Sequence, residues 1–262
     1  MGDYVFDQKW TNERARLAGI ERLWDPGSQA VLETLGVGPS WACVEVGAGG
    51  GSMTTWLAAR AAHVVAMDLD TRHLEAIGAS NVEIRRHDIR EYDLPQAGFD
   101  LVYARMVVSH IGSWVIPRLV HAVRPGGVLL LEDYDFVGAP VEPPDPLYER
   151  MMAGTVGLVA SAGWDPLFGR RLPGALRAAG LEGVQSDGRV RVIRGGTTET
   201  AFHRLSVEAL RGRLVATGAL TELEIEQALG RLDDPDRTFL SPVMVAAWGR
   251  RRARGRASAT LA

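Results

Sequence analysis

The sequence predicts a doubly wound α/β fold: a mostly parallel sheet covered by helices on both faces, with helical insertions capping one edge. Three observations carry this expectation. Between residues 42 and 132 short apolar runs alternate with helix-forming stretches. Continuously apolar runs mark strands buried on both faces, and parallel strands need crossover helices. The first run ends in a glycine-rich stretch, Val44-Glu45-Val46-Gly47-Ala48-Gly49-Gly50-Gly51-Ser52, that leads into a helical segment. Asp68 and Asp88 then fall at the ends of the next two apolar runs, and open α/β sheets bind ligands at the carboxyl ends of their strands.

Taken in order, residues 8–35 carry Leu17, Ile20, Leu23 and Trp24 at helical spacing. Pro26-Gly27 predicts a break, after which Ser28 caps a second helix through Leu35. Strands are expected over residues 42–46, 63–68, 82–86, 100–103 and 128–132, with helices over 54–60, 71–77 and 117–123. Pro140, Pro143, Pro144 and Pro146 make residues 139–146 an extended connection. Helices follow over 147–162 and 172–179, a strand over 183–193, and amphipathic helices over 199–216 and 221–232. The last is opened by Thr221 and Glu224 in a capping box. A strand over 243–248 closes the sheet. The expected division is a helical cap segment (residues 1–40), a ligand-binding core (41–135), the rest of the sheet with inserted cap helices (136–248) and a basic flexible tail (249–262).

Composition narrows the function. A chain of 262 residues can bury one substantial core and an appended cap. The net charge of −3 supplies no basic field for nucleic acid. Arg250, Arg251, Arg252, Arg254 and Arg256 lie amid Ala, Gly and Ser and read as a solvated terminus. The single cysteine, Cys43, sits in an apolar run and reads as strand filler. No apolar stretch reaches the ~20 residues that span a bilayer, and MGDYVFDQKW has no apolar targeting region, so a cytoplasmic protein with no membrane partner is expected. No metal cluster is apparent.

The glycines answer a chemical need. The chain must turn sharply there, and a ligand must approach the backbone more closely than a Cβ allows. The helix that follows favours an anionic group at its N-terminus. At the end of the second strand Asp68 can accept both hydroxyls of a ribose. Asp88, in His87-Asp88-Ile89, can reach an adenine amino group. The run Phe99-Asp100-Leu101-Val102 leads the fourth strand toward Ser109-His110.

In these residues the chain resembles a class I S-adenosylmethionine (SAM)-dependent methyltransferase, over roughly residues 40–135. The family's acidic residue and G-x-G-x-G loop are matched by Glu45, Gly47, Gly49 and Gly51, and the turn Arg124-Pro125-Gly126-Gly127 is typical of it. The resemblance implies a Rossmann-like, seven-stranded sheet. It also implies that Glu45, Gly47, Ala48, Gly49 and Gly51 hold the methionine portion of SAM and Asp68 the ribose. Leu69, Asp88 and Ile89 would then surround the adenine, with Arg105 facing the cofactor or pairing with a carboxylate. S-adenosylhomocysteine would be the product. A nicotinamide-dependent oxidoreductase fits less well. Its G-x-G-x-x-G/A pattern puts Ser52 at the third position, and the only lysine is Lys9. A protein that binds SAM but promotes cyclisation, or no methyl transfer, is a third reading, because the loop reports binding and not chemistry.

Methyl transfer is an in-line displacement in which positioning supplies ~7–11 kcal/mol and a base typically ~10²–10⁴-fold. His110 is the first base candidate and Asp133, in the acidic end Glu132-Asp133-Tyr134-Asp135, another. Each is also read as a structural group, the commoner role for such residues, with His110 bonding a loop and the carboxylates capping a turn. Tyr4, Trp10, Tyr134, Tyr148, Met151, Met152, Trp164, Phe168 and His203 are candidates for the substrate wall, with His203 as a further base. Where such side chains line a cavity they suggest an aromatic or polyketide-like small-molecule acceptor. The Ala/Arg/Gly/Leu bias is associated with bacterial genomes of high GC content, so bacterial secondary metabolism is the expected setting. A homodimer is compatible with the sequence.

Overall fold

The computed structural model describes residues 11–138 and 140–253. Tyr4 and Trp10 lie outside the described residues, as does the end of the basic tail.

The chain opens with helix α1 (Glu13–Leu35), followed by β1 (Ala42–Val46), α2 (Ser52–Ala58), β2 (His63–Asp68), β3 (Val82–Arg86) and β4 (Phe99–Arg105). Then come α3 (Val108–Ile111), α4 (Ile116–Ala122), β5 (Val123–Asp135), β6 (Val141–Glu142), α5 (Pro146–Ser161), α6 (Leu172–Ala178) and β7 (Leu181–Arg189). The last elements are β8 (Val192–Arg194), α7 (Thr200–Ala216), α8 (Glu222–Gly230), β9 (Thr238–Leu240) and β10 (Val243–Arg251). The main sheet has the expected seven strands, in the order β3-β2-β1-β4-β5-β10-β7. β1 runs parallel to both β2 and β4, with Glu45 opposite Ala66 and Tyr103. β10 is antiparallel between β5 and β7. The chain order reverses at β1 and β4, and the crevice that opens beyond their carboxyl ends is where such sheets bind ligands.

Burial follows the two-face pattern read from the sequence. Val31 and Leu32 of α1 with Met53 and Leu57 of α2 cover one face, and α4 and α6 cover the other through Ile116, Leu119, Leu172 and Leu176. Cys43 is fully buried between them, and burial pushes its thiol up to about 12, which keeps it protonated. A separate apolar cluster forms the cap: Leu23 and Trp24 of α1, Tyr148 and Met151 of α5, Leu210 and Leu214 of α7, Ile225 and Leu229 of α8, and Phe239 of β9. A three-stranded sheet, β6-β9-β8, closes its side. Thr221 and Glu224 do form the capping box of α8. Among the described residues no helix is long and apolar enough to cross a membrane.

Four expectations are corrected. α1 continues through Pro26 as a single helix, although an interior proline removes a hydrogen bond and costs ~3 kcal/mol or more. Tertiary bonds hold the helix on both sides of that proline. The Trp24 indole N–H donates to Tyr134 Oη at 2.7 Å, Asp25 pairs with Arg105 at 2.8 Å, and Ser28 donates to Glu132. Ser28 is therefore a buried contact to β5 and not an N-cap. Residues 71–77 form turns closed by bonds from Leu74 N–H to the Thr71 carbonyl and from Ile77 N–H to the Leu74 carbonyl, with no α-helix. The expected strand over 183–193 is two strands in two sheets, because the chain leaves the main sheet after Arg189 and enters the cap sheet at Val192. Finally, β10 takes residues 249–251 out of the tail: Arg250 donates to the Gly126 carbonyl and Arg251 to the carbonyls of His121 and Val123. In α1, in the divided strand and in β10 a partner distant in sequence overrides the local pattern.

Candidate functional site

The loop after β1 is folded back on the end of β2. The N–H groups of Gly47 and Ala48 both donate to the Met67 carbonyl, at 2.8 and 3.0 Å, and Gly49 N–H donates to Asp68 Oδ2 at 2.8 Å. Gly47 and Gly49 have φ of 74° and 54°, a region that side chains other than glycine's rarely enter. A Cβ on Gly47 would also run into Val107, and one on Gly50 into Glu21 of α1. The loop thus presents bare backbone to the crevice and is roofed by α1.

A continuous cavity of about 280 Å³ runs along the carboxyl edge of the sheet, close to the ~300 Å³ at which ligand pockets begin. One end is walled by Glu45, Gly47, Asp68, Leu69, Asp88 and Ile89. The other end is a chamber walled by Ile20 of α1, Met152 and Val159 of α5, Trp164, and Phe202 and His203 of α7. Arg105, Met106 and His110, from β4 and the segment after it, also line the cavity. Met106 is held at φ 57°, strained backbone of the kind that gathers at functional sites.

Electrostatics separate the carboxylates. Burial pushes the Glu45 carboxyl up to about 8, against the pull of the Thr54 hydroxyl that donates to it and of Arg105. Burial also raises Asp68, opposed by the backbone N–H groups of Asp70 and Gly49. The Arg90 guanidinium holds Asp88 below its ordinary range and occupies both of its oxygens. His110 is brought down to about 4 by burial, helped by the Arg16 cation, and its ring stacks on Trp164 at 6.1 Å.

Of the residues singled out from the sequence, the cavity brings together Glu45, Gly47, Ala48, Gly49, Asp68, Leu69, Asp88, Ile89, Arg105, His110, Tyr134, Met152, Trp164 and His203. Five others are not among its lining residues. Gly51 lies beneath the loop against Ile77 and Leu74. Asp133 is buried and turned to Ser109, whose N–H and hydroxyl both donate to it. Tyr148 packs on Phe239 with ring centres 5.0 Å apart in the cap core, and Met151 lies in that same core. Phe168 belongs to the core beneath the sheet. Arg105 takes the structural side of its two readings, donating to Ser28 at 3.1 Å and to Asp25 at 2.8 Å while it lines the wall. Sequence reasoning missed the Glu13–Arg16 ion pair of α1, which is buried with both guanidinium contacts under 3 Å. It also missed Thr155 and Val156 of α5 and Ser206 and Val207 of α7. Spacings of three and four along each helix marked a common face, but not the cavity that face meets.

Comparison with known proteins bears on this geometry. Residues 44–131 match the family model described as a methyltransferase domain. Over 179 residues the chain is 29% identical to Methyltransferase str3 of Strobilurus tenacellus, an alignment covering 66% of this chain and 63% of that protein. Residues 44–131 thus carry a methyltransferase domain of the class I SAM-dependent type.

Solved structures with this methyltransferase fold include the YcgJ protein of Bacillus subtilis, with a TM-score of 0.60 at 14% identity over 87% of this chain and 100% of that one. They also include phosphoethanolamine N-methyltransferase 2 of Haemonchus contortus, crystallised with phosphomonomethylethanolamine and S-adenosylhomocysteine. That comparison gives a TM-score of 0.59 at 14% identity and covers 94% of this chain and 59% of that one. The chain spans less than two thirds of the length of the curated relatives it matches. The family's methyl donor is SAM, and the strand-end carboxylates and bare glycine backbone of this methyltransferase domain are the features such a donor requires.

Proposed function

We propose that the chain transfers a methyl group from SAM to a small, largely apolar acceptor, in the cytoplasm and as part of bacterial secondary metabolism. The observation that carries this reading is the continuity of the cavity. The glycine loop and strand-end carboxylates at one end open directly into a chamber of cap side chains at the other.

The residues fit the donor. Glu45, buried and hydrogen-bonded to Thr54, offers a carboxylate to the methionine ammonium, and the bare backbone at Gly47 and Gly49 leaves room for the methionine chain. Asp68 accepts from the ribose hydroxyls, and Leu69 and Ile89 provide apolar faces for the adenine. SAM supplies a methyl group already activated on a sulfonium. The protein's part is to align the acceptor, exclude water and receive a proton. His110 is neutral at pH 7 and can take a proton from an acceptor hydroxyl, while Trp164 fixes its ring.

Incubation of the full chain with SAM carrying a labelled methyl group, against a panel of phenolic and polyketide acceptors, tests the reading. Label in the product with release of S-adenosylhomocysteine supports it. Product formed with SAM intact favours cyclisation instead. Calorimetric binding of NAD in preference to SAM would overturn the cofactor assignment.

A further inference from the structure

Among the described residues, the acceptor chamber is lined mainly by apolar side chains. Phe202, Val207, Met152, Val156, Val159 and Ile20 supply most of its wall. The polar groups around it are satisfied by protein: Thr155 donates to the Met151 carbonyl at 2.8 Å, the Trp164 indole to Ser109 at 3.0 Å, and the Trp24 indole to Tyr134. Arg16, whose guanidinium would otherwise attract an anion, is chelated by Glu13 at 2.7 and 2.8 Å. Besides Glu21 Oε1, beside Gly50 of the glycine loop, and His73 Nε2, the described lining residues with unpartnered polar atoms are on α7. His203 is 3% exposed and Ser206 8% exposed, and both line the cavity. Among the described residues, neither ring nitrogen of His203 nor the hydroxyl oxygen of Ser206 has a hydrogen-bond partner.

Buried polar atoms without partners are rare in native proteins and cost about 1–3 kcal/mol each. Here three of them sit on two residues at positions i and i+3 of α7, one turn apart on one helix face. A site built to hydrogen-bond a substrate leaves its polar groups unpaired when the substrate is missing. We infer that His203 and Ser206 are the polar anchor of the acceptor chamber and that they select an uncharged, mostly apolar acceptor carrying a hydroxyl group. The inference rests on the methylation site proposed above.

The chemistry of the pair sets the acceptor class. A neutral imidazole offers one N–H and one lone pair, and a serine hydroxyl can both donate and accept, so together they can satisfy both the proton and the lone pairs of one hydroxyl. Burial brings the His203 imidazole down to about 4, so it carries no charge at pH 7. Of the described charged side chains lining the cavity, Arg16 is paired with Glu13, Arg90 with Asp88, Arg105 with Asp25 and Glu21 with Arg14, so the α7 pair favours neither a carboxylate nor an ammonium. The three atoms are closed to water in the ligand-free chain, so pairing with an acceptor hydroxyl requires these α7 side chains to rotate into the chamber.

The test uses the full chain saturated with S-adenosylhomocysteine and titrated with 2-naphthol, naphthalene and 2-naphthoate, in the wild type and in His203→Leu, Ser206→Ala and His203→Gln. The wild type should bind naphthol at least ten-fold more tightly than either other probe. His203→Leu and Ser206→Ala should each abolish most of that preference without weakening naphthalene, and His203→Gln, which keeps a donor and an acceptor, should restore part of it. Without ligand, His203→Leu and Ser206→Ala should unfold at the same temperature as the wild type or higher, because each removes unpaired atoms. A lower unfolding midpoint in both would mean that these groups have structural partners and would overturn the inference. Naphthoate bound as tightly as naphthol, a preference unchanged by both substitutions, or no probe bound at all would overturn it too. If S-adenosylhomocysteine binds and the probes are not discriminated, only this inference fails. If S-adenosylhomocysteine does not bind, the proposed function fails with it.

Discussion

The N–H of Gly49 donates to the carboxylate of Asp68 at 2.8 Å, which makes the loop after β1 and the end of β2 one rigid unit. Asp68 therefore has two tasks in the proposed site, holding the loop and accepting from the ribose. Asp68→Ala should weaken SAM binding by on the order of 1–3 kcal/mol through loss of charge-assisted hydrogen bonds. Asp68→Asn, which can still accept from Gly49, should lose less. Calorimetry reads both, and unchanged affinity in the alanine variant would remove Asp68 from the site.

Glu45 gives a proton-linked signal. Its carboxyl is raised to about 8 by burial, so it is mostly protonated at pH 7, and a cofactor ammonium beside it would drive ionisation. SAM binding at pH 7 should therefore release close to one proton to buffer. Titrations in buffers of different ionisation enthalpy should detect the release, and Glu45→Gln should abolish it.

The same group sets a stability trend in the ligand-free protein. A folded value above the unfolded one means that its contribution is fully present below the unfolded value near 4.5 and is lost as pH rises through 8. Glu45→Gln should thus gain stability relative to wild type between those limits, by up to a few kcal/mol on the order given by the linkage relation. Urea midpoints from pH 5 to 9 would show the gap widening, and a constant gap would count against the buried protonated form.

Asp133 and His110, the two base candidates, should behave oppositely. Asp133 spends its carboxylate on the Ser109 N–H and hydroxyl and is absent from the cavity wall. Asp133→Asn, which can still accept from the N–H and donate to the hydroxyl oxygen, should keep full methylation. His110→Ala should cut the methylation rate by about 10²–10⁴-fold with S-adenosylhomocysteine affinity little changed. The His110 ring titrates near 4, so its loss of base form should not depress the rate between pH 8 and 6. Rate measurements on both variants decide the assignment, and an unimpaired His110→Ala would exclude it as base.

Ser28 links α1 to the sheet edge through Glu132, which also accepts from Tyr103 and pairs with Arg189. Removing the hydroxyl in Ser28→Ala leaves Glu132 and Arg105 each one partner short inside the protein. The cost should be about 1–3 kcal/mol, seen as a lower thermal midpoint. No loss of stability would mean that α1 is held by its apolar contacts alone.

The sequence by itself determined whatever depends on neighbours along the chain. Apolar runs located the strands of the main sheet, glycine spacing located the loop, and Asp68 and Asp88 were legible because a strand end is a local position. The face of each cap helix was legible too, since Met152 and His203 fall on periodic positions. What only the tertiary structure decided is which distant group meets each of these faces. Pro26 looks like a break until Tyr134, Arg105 and Glu132 are seen gripping the helix on either side of it. Asp133 looks like a base until Ser109 is seen to occupy it, and Tyr148 looks like a substrate contact until Phe239 covers it. Glu13 with Arg16, and His203 with Ser206, carry no motif at all. Periodicity states that a side chain is buried, whereas its chemistry depends on whether a partner, a packed ring or an open chamber lies across from it. That is fixed only when the cap closes over the sheet.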